Sequence, residues 1–169
     1  MYLRFRHILL LTITLLCFKS WGQSFNQKEN AVYIFNFIKY TEFSQKKTNL
    51  IIGVIGSTKV EAELKTLLTK KASPITVKHI TEADSKNVDV ILIAESSSKS
   101  IKEVQNQTAK LPILIITEKP DLNYSGACIS LFMDEDDDFK TKFQVSPFNL
   151  RSRGLTLAPQ IINNAVLVR

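Results

Sequence analysis

Between Asn30 and Ser44 the chain reads NAVYIFNFIKYTEFS. Ala31, Ile34, Phe35 and Ile38 recur at i, i+3, i+4 and i+7, the spacing of one apolar helix face. Tyr33, Phe37 and Tyr40 form a second, aromatic stripe beside it, and only Asn30, Asn36, Lys39 and Glu42 interrupt the apolar surface. A helix with so narrow a polar strip needs cover on more than one side. One cover is the domain's own sheet, and the other is a second helix, a sister subunit or a partner protein. The plainer alternative is an N-terminal core helix packed wholly within its own domain.

Downstream, near-continuous apolar runs alternate with amphipathic stretches. Leu50 to Ile55 reads as a strand covered on both faces. Gly56-Ser57 turns the chain, Thr58 and Glu61 have the spacing of a capping box, and Val60, Leu64, Leu67 and Leu68 line a helix face. Ile75 to Ile80, Val88 to Ala94 and Pro112 to Thr117 are three further strands, with a helix anchored by Ile101 and Val104 after a second capping box at Ser100 and Glu103. Ala127 to Met133 and Phe139 to Val145 then read as an antiparallel hairpin across Asp134 to Asp138. Ser146-Pro147 opens a short helix that Gly154 stops. Ala158-Pro159 opens a last helix with Ile161, Ile162, Ala165 and Val166 facing inward. This order predicts an α/β fold: an open, mostly parallel sheet with helices on both faces and a C-terminal antiparallel hairpin. Repeats, linkers and low-complexity tracts are absent, so residues 23–169 are expected to form one domain.

Residues 1–22 are expected to leave that domain. Arg4, Arg6 and His7 precede the apolar run Ile8 to Phe18, and Ser20 and Gly22 are small residues at −3 and −1 of a cleavage site. This is the pattern of a cleaved secretory signal peptide, and the run is shorter than the ~20 apolar residues of a membrane span. Cys17 does not make a lipoprotein signal, because Leu16 stands where a small residue is required. Cleavage removes Arg4, Arg6 and Lys19 and no acid, which takes three positive charges from the formal net charge of +6. Nothing in the remainder makes a nucleic-acid stripe. Cys128 is then the only thiol, open to intermolecular pairing but set in an apolar run that favours burial.

Catalytic chemistry has little to work with. His79 is the only histidine left, and its alternation with Val77 and Ile75 reads as structural. No metal and no cofactor are expected. The acidic run Asp134 to Asp138 lacks the glycine and the final glutamate of a calcium loop. Gly56, Ser57, Glu95 and Ser96 would line the crevice at the carboxyl ends of the strands, where open α/β sheets hold small ligands. Arg151 and Arg153 could grip an anion together, or simply face solvent.

The stretch NAVYIFNFIKYTEFS also resembles the opening helix of the YfiR-like family of periplasmic regulatory proteins. Ala31, Tyr33, Asn36, Phe37, Lys39, Tyr40 and Glu42 keep that family's pattern, with Phe43-Ser44 in place of its Trp-Pro. Leu50 to Gly56, Val88 to Glu95, GACISL from Gly126 to Leu131 and the ending FQVSPFNLRSRGLTLAPQII are similar in the same order. The resemblance implies an exported, non-catalytic regulator. Such a protein binds and restrains the periplasmic region of an inner-membrane signalling protein, typically a diguanylate cyclase, and forms a homodimer. Disulfide-based redox control, implied for part of the family, does not carry over to a chain whose only mature cysteine is Cys128. Tyr33, Phe37 and Tyr40 are the expected partner-binding residues. A periplasmic small-ligand-binding domain using Ser57 and Ser96 is the alternative.

Overall fold

The structure, a computed structural model, describes residues 27–45, 47–134, 137 and 140–168. The expected signal peptide at 1–22 and its Cys17 lie outside the described residues, as does most of the acidic turn after Asp134.

Helix α1 occupies residues 27–39 and leads into strand β1, Thr41–Phe43. Then follow β2 (Ile51–Ile55), α2 (Val60–Lys70), β3 (Thr76–His79) and β4 (Val90–Ile93). Next come α3 (Ile101–Thr108), β5 (Leu114–Thr117), β6 (Ile129–Asp134) and β7 (Lys140–Val145). The chain closes with α4 (Pro147–Ser152), β8 (Leu155–Leu157), α5 (Pro159–Ile162) and β9 (Leu167–Val168). The main sheet has seven strands in the order β3-β2-β4-β5-β6-β7-β9. It is parallel from β3 through β6, turns antiparallel at the β6–β7 hairpin, and ends with β9 parallel to β7. A separate antiparallel ribbon joins β1 to β8, pairing Thr41 with Leu157 and Phe43 with Leu155.

The apolar runs explain the layering. Every residue of β4 and β5 is buried, so both faces of the sheet centre are covered, and the buried faces of α1, α2 and α3 join the same core. Asp89 holds the entry to the sheet: its Oδ2 accepts from Ile51 N at 2.8 Å, and its Oδ1 lies 2.5 Å from Lys47 Nζ. Gly154, at φ +68°, takes the left-handed conformation that ends α4, as its position predicts.

Four local expectations are corrected. The opening helix stops at residue 39 rather than running to Ser44, because the Thr41 hydroxyl donates to Phe37 O at 2.6 Å and residues 41–43 pair with β8. Neither capping box forms. Glu61 is buried and binds Lys65 Nζ and His79 Nε2, each at 2.6 Å, while Ser100 donates to Glu82 instead of capping α3. The last helix is only Pro159–Ile162, and Val166 is 57% exposed rather than inward. The short strands β8 and β9 were not expected at all, since three and two residues carry no readable alternation.

Candidate functional site

Helix α1 is where the sequence placed the docking residues, and the structure divides them. Phe37 is 1% exposed, its ring 4.9 Å from Phe143 and 6.0 Å from Tyr33, between centroids. It belongs to the core, which corrects its expected role as a partner contact: β7 supplies the cover that the helix pattern demanded. Tyr33, 5.6 Å from Phe143, and Tyr40 are only half-buried. Burial, then the nearby Glu29 charge, push the Tyr33 phenol up from its ordinary value. Tyr33, Asn36, Thr141, Lys142, Ile161 and Val166 border an open groove of about 420 Å³ over this cluster. The groove thus has an apolar floor, a half-exposed tyrosine and a polar rim, a composition shared with protein–protein interfaces.

Gly56, Ser57, Glu95 and Ser96 follow the carboxyl ends of β2 and β4, where the winding of the sheet reverses. Ser96 Oγ lies 3.5 Å from Ser57 O. Gly56 has φ +86°, and a side chain there would collide with Ser97. No local pattern marks Glu118, which follows the carboxyl end of β5 and accepts from the Thr58 hydroxyl at 2.9 Å. Burial raises its carboxyl above the ordinary value; the Thr58 hydrogen bond opposes this, and the Glu95 charge adds to it.

The sign of the pH effect follows. With the folded pKa above the unfolded one, this group's contribution to stability is complete below the unfolded pKa and is lost as pH rises through the folded value. Glu118→Gln should therefore gain melting temperature relative to the wild type as pH goes from about 4 to about 7. Thermal denaturation across that range checks this, and parallel curves for the two proteins count against it.

The two arginines do not converge. Arg151 is exposed, whereas Arg153 is 3% exposed and donates from Nη1 to Thr108 O at 2.9 Å and from Nη2 to Gln105 Oε1. Its expected ligand role is corrected to that of a clamp between α4 and α3. His79 is exposed on the edge strand and pairs with Glu61. Cys128 is fully buried, as expected, and burial pushes its thiol up. Among the described residues, no cluster of three or more His, Cys, Asp or Glu is arranged to hold a metal ion, and no helix is long and apolar enough to cross a membrane.

Comparison with known proteins bears on the fold and the family. A solved structure of a conserved domain protein from Vibrio cholerae O1 biovar El Tor aligns at TM-score 0.59 and 12% identity, over 85% of this chain and 60% of that one. The chain thus spans about 60% of that structure's length, and the likeness supports the fold alone. An ABC domain in complex with L-Trp, from Streptococcus pneumoniae, aligns at TM-score 0.48 and 15% identity, over 71% of this chain and 55% of its own. No curated protein matches the sequence. The YfiR/HmsC-like family profile, in contrast, matches residues 27–166, nearly the whole described chain. The chain belongs to the YfiR/HmsC-like family of periplasmic regulatory proteins.

Proposed function

We propose that this protein is an exported, non-enzymatic regulator that docks on the periplasmic sensor region of an inner-membrane signalling protein, a diguanylate cyclase or a similar enzyme, and holds it inactive. The observation that carries this reading is the aromatic flank of α1: Tyr33 is left half-open at a groove whose edge is the exposed Val166, and Tyr40 is half-open just past the end of the helix. An aromatic anchor at the mouth of an apolar groove is the kind of feature on which interface energy concentrates. A bound partner, or a sister subunit in a homodimer, completes the cover of α1, and restraint follows from binding one conformation of the partner more tightly than the other.

The test uses Tyr40→Ser together with Val166→Asp, both at positions outside the packed core. Capture of the signalling partner from intact envelopes should fall at least about tenfold, or ~1.4 kcal/mol. The melting temperature should stay nearly constant, and the partner's signalling output should rise. Undiminished capture by the double variant would remove this surface from the interaction.

A further inference from the structure

The opposite flank of α1 carries a different chemistry. Lys28, Val32, Phe35 and Lys39 recur at i, i+4, i+7 and i+11, one narrow stripe along the helix. Val32 is 45% exposed, and across a trough of about 210 Å³ it faces Leu67 and Lys70 of α2. Further along both helices lies a larger groove of about 730 Å³ with Phe35, Ile38, Leu50 and Ile75 among its lining residues. Lys39, Lys47 and Lys71 also line it, and Lys71 Nζ sits 5.3 Å from the centre of the Phe35 ring. Glu42 and Glu63 are the acids among the residues lining the two grooves, and Lys47 is already paired with Asp89.

We infer that this lysine-rimmed cleft between α1 and α2 seats an acidic, amphipathic segment of a protein partner. Three features select that occupant. The rim is dominated by lysine, so the complementary charge is negative. The apolar side chains line a concave channel, which a flat bilayer would span without filling but an inserted helix would fill. The cleft follows α1 over residues 27–39, about 20 Å at the rise of an α-helix, which matches a partner helix of about a dozen residues. The inference rests on the docking reading above and assigns a second contact to the same helix.

The probe is a synthetic helical peptide of about twelve residues, glutamates on one face and leucines on the other, titrated into isotope-labelled protein and followed by NMR. Resonances of Lys28, Val32 and Leu67 should shift, and the affinity should fall with added salt. A peptide with lysine in place of each glutamate should bind at least tenfold more weakly. Lys28→Gln with Lys70→Gln, at exposed positions, should weaken the acidic peptide about fivefold without changing the melting temperature, and Val32→Asp should weaken it further. Equal binding of the two peptides, or unchanged affinity in the variants, overturns the inference. So does retention by vesicles containing anionic phospholipid with the same dependence on these lysines when the peptide fails to bind. Because the Tyr40 and Val166 positions are left intact, failure here does not touch the docking reading, and loss of that reading does not produce failure here.

Discussion

Phe37→Ala lowers the stability of the protein by about 3–5 kcal/mol, the range for emptying a buried aromatic site. For a chain of this size that is a fall in melting temperature of about 10 °C or more. Phe37 is among the largest fully buried side chains, and its ring meets Phe143 at 4.9 Å and 60°. The substitution therefore removes a tilted aromatic pair along with the buried area. Denaturant titration measures the loss, and Phe37→Leu, which keeps most of the volume, should recover much of it. A Phe37→Ala protein of wild-type stability that no longer binds its partner would return this residue to the interface.

Arg153→Ala costs about 3 kcal/mol, whereas Arg151→Ala, on the exposed side of the same short helix, stays within about 0.5 kcal/mol. Arg153 Nη1 reaches both the carbonyl and the hydroxyl of Thr108, at 2.9 and 3.2 Å, while Nη2 reaches Gln105. Truncation leaves the Gln105 oxygen short of a charged donor and opens a void between α3 and α4. Lysine restores only part of the loss, because a point charge on a flexible stem cannot fork to two acceptors as a guanidinium does. Equilibrium unfolding of the three variants separates the outcomes. Equal and small effects at both arginines would mean that the buried fork contributes nothing to stability.

The parts of the fold written as unbroken apolar runs were readable in advance. Strands buried on both faces, such as VDVILIA and PILIIT, leave little else for Val90–Ile93 and Leu114–Thr117 to become. The hairpin and the Ser146 cap were equally legible, and the Ser146 hydroxyl does accept from Asn149 N at 3.2 Å. What failed to show was whatever depended on distant partners. Whether Phe37 packs inside or outside is decided by Phe143, far along the chain, and no local period encodes that contact. Glu61 and Ser100 had the right spacing for caps, yet His79 and Glu82 competed for their side chains. The candidate site is legible in the same measure: the pattern marks the helix and its aromatic stripe, but cannot separate its sealed ring from its open ones. Glu118 gave no signal because its burial comes from loops that only the sheet order brings together.

The β1–β8 ribbon has a consequence for how the molecule matures. Thr41 and Phe43 find their strand partners only at Leu157 and Leu155, and the ring that seals Phe37 arrives only with Phe143. During synthesis α1 thus emerges well ahead of Phe143 and β8, and its Phe37 face waits for them. Long-range closure of this kind slows folding and lengthens the window for aggregation. Strands β7 and β8 act as a clasp, and a chain cut short before them would keep its inner sheet strands but leave α1 and β1 unfastened.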